Sequence, residues 1–187
     1  MFYSPEQFPF TKILEERYPE IKSEVVSLSK DSFAAFPERR LYVQRAAEGR
    51  EQPASGGAPG GEGKGWNVFG LYFFEKKLKK NCSLCPETVR ALEAIPDLTT
   101  AAFSWLEPGT HIKPHVGYTT AVLRCHLGLI VPPDCALRVG NETKTWQEGK
   151  CMVFDDMTEH EAWNRSTESR VVLLLDFKKA AAHLGAG

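Results

Sequence analysis

Apolar residues follow two different rhythms along this chain. After Phe8, Pro9 and Phe10, the residues Ile13, Leu14, Ile21, Val25 and Leu28 recur at helical spacing. Pro19 is placed to open a helical stretch, so the first thirty residues predict one or two amphipathic helices. Trp66 to Phe74 is a dense apolar and aromatic run of strand character. A short helix is expected in PETVRALEAIP, with Pro86 opening it, Val89, Leu92 and Ile95 on one face and Pro96 ending it. From Thr99 the rhythm shortens to β-like runs: TTAAFSWL, AVLRCHLGLIV, CALRV, TKTW, KCMVF, EHEAW and RVVLLLDF. Turn residues separate them, notably Pro108-Gly109, Pro132-Pro133-Asp134, Gly140-Asn141 and Glu148-Gly149. Many short strands behind a helical third predict a mainly β chain, a double-stranded β-helix (jelly roll) core supported by N-terminal helices.

Two stretches fall outside this pattern. Residues 46–65 are rich in Gly and read as a flexible loop inserted in the domain, and the tail from 180 to 187 is expected to be disordered. With 187 residues and 42% hydrophobic content, the chain reads as one domain over 1–187. A net charge of −1 with mixed signs leaves no basic stripe for phosphates, so small molecules or peptides are expected as partners and nucleic acid is not. No run long enough to span a membrane and no basic leader followed by an apolar core is visible, which predicts a cytoplasmic chain without membrane contact. The five cysteines (Cys82, Cys85, Cys125, Cys135, Cys151) suit reduced thiols. The Cys82-x-x-Cys85 pair lacks the second pair or spaced histidines that a zinc site needs. The N-x-S/T triplets at Asn81, Asn141 and Asn164 would matter only on a secretory route.

Candidate chemistry centres on histidines and arginines. Of five histidines, His183 lies in the tail. His115 and His160 each follow a turn at a strand end, where a jelly roll brings strand ends together. Two neutral imidazoles there would suit iron(II), which accepts nitrogen ligands and keeps open positions in oxygenases. Hydrogen-bonded histidines without metal are the plainer reading of the spacing. In AVLRCHLGL a period of two puts Arg124 and His126 on one face, against Leu123, Cys125, Leu127 and Leu129 on the other. That polar face either lines an interior site or meets solvent. Arg170 opens the apolar run RVVLLLDF, and a guanidinium buried there needs an anionic partner. Asp176 is one candidate; the carboxylate of a bound dicarboxylic acid is another.

The ordered set PGTHIKPHVGYTTAVLRCHLGLIVP, GNETKTWQEGKCMVFDDMTEHEAWN and RVVLLLDF resembles the aspartyl/asparaginyl β-hydroxylases, within the 2-oxoglutarate-dependent oxygenases. The resemblance implies a dioxygenase that uses Fe(II), 2-oxoglutarate and O2, releases succinate and carbon dioxide, and hydroxylates an amino acid or an Asp/Asn-type residue in a peptide. It implies that His115 and His160 bind the iron, and that Gly117 stands where most of the wider superfamily places a carboxylate ligand. Ser104 and Arg170 would hold the distal carboxylate of 2-oxoglutarate, with Arg124 and His126 near its metal-binding end or the substrate, and Trp66 walling the pocket. Asp155, Asp156 or Glu159 could orient an imidazole or reach the metal through water. Val122 and Ala102 replace an arginine and a lysine expected in peptide-hydroxylating members, which argues against an aspartyl substrate. The rival expectations are a halogenase, with halide in the vacancy at Gly117, and a non-catalytic jelly-roll binding module.

Overall fold

A computed structural model describes residues 1–45, 51–53 and 65–179. Its strands are β1 (Phe2–Tyr3), β2 (Ala34–Ala35), β3 (Tyr42–Arg45), β4 (Glu51–Pro53), β5 (Trp66–Phe73), β6 (Lys76–Lys77) and β7 (Leu98–Leu106). These are followed by β8 (Thr110–His115), β9 (Val122–Ile130), β10 (Cys135–Val139), β11 (Glu142–Lys144), β12 (Cys151–Phe154), β13 (His160–Asn164) and β14 (Arg170–Lys178). The helices are α1 (Phe10–Glu16), α2 (Tyr18–Ser27), α3 (Lys79–Cys82) and α4 (Pro86–Leu92). The larger sheet runs β1-β12-β9-β14-β7-β5-β2 with β6 on β5, and the smaller runs β11-β10-β13-β8-β3-β4. The strand pairs within both sheets are antiparallel, as in a jelly roll.

Alternation along the strands sorts side chains into two cores. On β9, Leu123, Cys125, Leu127 and Leu129 join Leu14, Ile21, Val25 and Leu92 of the helices, while Arg124 and His126 face the other sheet. Strand β14 is covered on both sides, which is why it reads as a continuous apolar run: Val171, Leu173 and Leu175 belong to the helix side, and Val172 and Leu174 to the space between the sheets. The helix layer is anchored by Glu24 of α2, whose carboxylate accepts from Glu87 N at 2.7 Å, Thr88 N at 2.8 Å and the Thr88 hydroxyl at 2.6 Å. It thereby caps the orphan donors at the start of α4.

Several details differ from the sequence expectations. Within the Gly-rich stretch, residues 51–53 form a strand against β3, while the remainder from 46 to 64 lies outside the described residues, as does 180–187. The TKTW run is strand only as far as Lys144, leaving Trp146 in a non-strand segment. Phe2–Tyr3 pairs with β12, and THIKPH forms β8. Both were unforeseen, the first because two residues carry no period, the second because Lys113 and Pro114 break the apolar alternation. Among the described residues no helix is long and apolar enough to cross a membrane.

Candidate active site

Strands β8 and β13 bring His115 and His160 face to face: they are ladder partners, with ring centroids 4.2 Å apart. Each Nδ1 is 2.8 to 2.9 Å from a backbone carbonyl two residues upstream, Lys113 O and Thr158 O respectively. A carbonyl only accepts, so both Nδ1 atoms carry the proton and both Nε2 atoms keep a free lone pair, the tautomer a metal ligand needs. Burial, reinforced by neighbouring His115, pushes His160 down to about 3, so it is neutral near pH 7.

The space that a side chain on Gly117 would take is occupied by Asp156. A Cβ on Gly117 would fall on Oδ2 of Asp156, a fully buried carboxylate, and Gly117 N donates to Asp156 O at 2.8 Å. Asp156 Oδ1 lies 3.3 Å from His160 Nε2 and 2.5 Å from Arg124 Nη1. Of the three acidic residues near His160, the structure therefore selects Asp156. Burial pushes its carboxyl above the usual carboxylate range, and Arg124 pulls it back. No side chain at Gly117 means that a carboxylate from the β12–β13 turn can occupy the position instead.

Arg124 stands at the histidine end of the site, held by two carboxylates. Its Nε and Nη2 donate to Asp176 Oδ1 and Oδ2 at 2.7 and 2.9 Å, so the guanidinium fork is committed to Asp176 and Asp156. The two carboxylates outweigh desolvation and hold Arg124 firmly charged. Asp176 is its ladder partner across β9 and β14. The other proposed pairing, Asp176 with Arg170, is excluded by strand geometry: six residues along a strand separate Cα atoms by roughly 20 Å.

Deeper between the sheets, His126 and Arg170 meet through a residue that sequence reasoning missed. Trp146 Nε1 donates to His126 Nδ1 at 3.3 Å, and its ring lies 4.6 Å beneath the Arg170 guanidinium. Trp146 reaches this point because the backbone at Gln147 passes where a Cβ on Gly128 would be. Nothing periodic marks Trp146 in the sequence. Accepting at Nδ1 places the His126 proton on Nε2, which is buried without a partner among the described residues. Burial, with Arg170 and Arg124 nearby, holds this imidazole neutral.

Arg170 is 1% exposed, yet among the described residues its Nε has no hydrogen-bond partner and its Nη1 makes only a 3.4 Å contact to Ser104 O. Burial lowers its pKa to about 10, and no carboxylate among the described residues offsets this. Ser104 Oγ accepts from Trp66 Nε1 at 2.9 Å, and among the described residues the Ser104 proton has no acceptor. Trp66 is fixed by a stacked Phe36 at 3.8 Å between centroids. The predicted residues thus fall into two linked groups: His115 and His160, with Arg124 acting through Asp156, at one end, and Trp66, Ser104 and Arg170 at the other, with His126 between. Donors without acceptors line the second group, which suits a ligand rich in acceptors. Among the described residues no cluster of three or more His, Cys, Asp or Glu side chains is arranged to hold a metal, so a cation here would rest on the two imidazoles and non-protein ligands.

Comparison with known proteins bears on the family and the fold. The sequence model described as Aspartyl/Asparaginyl beta-hydroxylase matches residues 15–180. The chain is 39% identical over 182 residues to an ornithine lipid ester-linked acyl 2-hydroxylase of Rhizobium tropici, covering 95% of this chain and 60% of that protein. It is 39% identical over 117 residues to the aspartyl/asparaginyl beta-hydroxylase of Homo sapiens, covering 59% of this chain and 15% of that one. The chain therefore spans less than two thirds of either relative. Among solved structures, a prolyl hydroxylase from Trichoplax adhaerens superposes with a TM-score of 0.53 at 11% identity, over 92% of this chain and 83% of that one, a likeness of fold.

Proposed function

Because the chain belongs to the aspartyl/asparaginyl beta-hydroxylase family, we propose that it is an iron(II)- and 2-oxoglutarate-dependent hydroxylase whose metal rests on His115 and His160. The observation that carries this reading is the set of buried donors that find no acceptor among the described residues: Arg170 Nε, the Ser104 hydroxyl and His126 Nε2. An unpaired buried guanidinium costs several kcal/mol, and a dicarboxylate supplies the missing anion and acceptors together.

The residues fit the implied groups. The Lys113 and Thr158 carbonyls hold both imidazoles with Nε2 free for iron(II). When bound, the iron supplies the activation of dioxygen that couples oxidative decarboxylation of 2-oxoglutarate, to succinate and carbon dioxide, with hydroxylation of a C–H bond. Arg170 and Ser104 would grip the distal carboxylate, Trp66 and Trp146 would wall its methylenes, and His126 would donate Nε2–H to an oxygen nearer the histidines. Arg124 would position Asp156 beside His160. Asp156 in turn could accept a hydrogen bond from a water on the metal. Its side chain takes the space beside Gly117 that a halide would need, which weighs against the halogenase reading.

A second reading concerns the substrate. The row next to His126 on the larger sheet's inner face is Leu174, Ala102 and Gly70, and Val122 is buried at the end of β9 opposite Lys178. Small apolar positions accommodate a hydrocarbon chain more readily than an aspartyl carboxylate. This favours a lipid acyl chain, the substrate named for the Rhizobium relative, over an Asp/Asn residue. The test is succinate formation from 2-oxoglutarate by the purified chain with iron and ascorbate, using aminolipids, free amino acids and aspartyl peptides. Coupled turnover with a lipid only supports this reading, turnover with a peptide only restores the aspartyl substrate, and no succinate under any condition favours a non-catalytic binding module.

A further inference from the structure

The mouth of the site is greasy. Phe73, Phe74, Val116 and Tyr118 are each more than half exposed, and they come from two segments that touch. Phe73 and Phe74 form the tip of the β5–β6 hairpin, with ring centroids 4.5 Å apart, and Phe74 meets Tyr118 at 5.8 Å. Val116 and Tyr118 flank Gly117, immediately after His115. Leu78, 40% exposed, curls over the same hairpin to reach within 3.0 Å of where a Gly70 Cβ would stand. Contiguous exposed apolar surface of this kind marks an interaction site, whereas scattered single residues do not.

The hairpin tip is also built against local preference. Phe74 and Glu75 have φ of 46° and 65°, the pattern of a two-residue turn that Asn-Gly fills without strain. An aromatic residue in the left-handed region is costly, and at 55% exposure Phe74 recovers little of that through packing in the isolated chain. Charge supplies the direction of the argument. Segment 73–80 holds four lysines against one glutamate. Lys77 pairs with Glu93 and Glu75 with Lys178, so Lys76, Lys79 and Lys80 are exposed cations with no ion pair among the described residues. Exposed aromatics beside unpaired lysines complement the headgroup region of an anionic bilayer.

We propose that Phe73, Phe74, Val116 and Tyr118, with Lys76, Lys79 and Lys80, form a membrane-docking surface that seats the mouth of the site on an anionic lipid interface. This proposal departs from the expectation of no membrane contact, which rested on the lack of a spanning run and of a leader. Docking rests on the proposed hydroxylase reading for its purpose: an acyl chain would pass from the bilayer over the rim to the apolar row of Gly70, Ala102 and Leu174 without crossing water.

The test is co-sedimentation of the full chain with phosphatidylcholine vesicles, with and without phosphatidylglycerol. Wild type should bind the anionic vesicles and release with salt. Removing three lysines, each contributing about fivefold near such a surface, should weaken binding roughly a hundredfold in Lys76→Gln/Lys79→Gln/Lys80→Gln. Phe73→Ser/Phe74→Asn should weaken it more than tenfold while raising the thermal unfolding midpoint, because Asn tolerates the turn. Both variants should keep the wild-type thermal shift on adding 2-oxoglutarate. Absence of wild-type binding, or unchanged binding by the aromatic variant, would overturn docking. So would a concentration-dependent dimer that the aromatic variant abolishes, since a second copy would then cover the rim. Vesicle binding without any 2-oxoglutarate shift would overturn the cosubstrate reading and leave docking standing.

Discussion

Replacing Arg170 with methionine separates what the guanidinium costs the empty chain from what it contributes to a bound dicarboxylate. Burial holds Arg170 down to about 10, a depression that corresponds to roughly 3 kcal/mol spent on keeping the group charged. The sign is that of a depressed base: near pH 7 the group is charged both folded and unfolded, so the penalty is fully present, and it is relieved only as pH rises through 10. Methionine fills most of the stem's volume and removes that penalty. It also forfeits the contact with Trp146 at 4.6 Å, worth up to about 2 kcal/mol when desolvated. The ligand-free variant should therefore be more stable by about 1 kcal/mol, or about 2–4 °C in a chain of this size. Removing one partner of a buried charged pair costs about 2–5 kcal/mol, so 2-oxoglutarate should bind on the order of a hundredfold to a thousandfold more weakly. Thermal unfolding under nitrogen with iron(II), with and without 2-oxoglutarate, reads both effects. Wild type should start lower and rise with ligand; the variant should start higher and stay. A ligand-free variant destabilised by more than about 2 kcal/mol, or an equal ligand shift in both proteins, would refute the reasoning.

Other substitutions probe the remaining parts. His115→Ala or His160→Ala should lose both iron retention, measured by metal analysis after desalting, and succinate formation; full activity in either would sink the metal assignment. Gly117→Ala should cost about 1–3 kcal/mol in urea unfolding, because its Cβ must displace the buried Asp156 carboxylate, and a neutral result would contradict the packing seen there. Asp176→Leu strips Arg124 of its bidentate partner and should cost about 3–5 kcal/mol by the same measurement, with Asp156 alone unable to compensate. Glu24→Gln should destabilise by about 1–2 kcal/mol, seen as earlier helix loss in far-ultraviolet dichroism, since the α4 amides would lose a charged acceptor.

Much of this architecture was legible along the chain, because it depends on period. The two-residue alternation of β9 separated Leu123, Cys125, Leu127 and Leu129 from Arg124 and His126, and the structure turns those faces to the helices and to the smaller sheet. The uninterrupted apolar run of β14 implied burial, and the structure covers it on both sides. His115 and His160 could be singled out as strand-end imidazoles, and Arg170 as a buried cation in want of an anion.

Period says which way a side chain points; it does not say what it meets. That Asp176 faces Arg124 follows from the register between β9 and β14, and that it misses Arg170 from strand rise. Asp156 stands at Gly117 because a turn beyond β12 folds back onto a residue with no side chain. Trp146 reaches both His126 and Arg170 because Gly128 lets a non-strand segment approach β9. Local chemistry along the chain set the strands, their faces and the residue types available to the site. The pairing of charges and the orphaned donors arose only when distant strands were brought into register, since contacts between residues far apart in sequence carry no local signature.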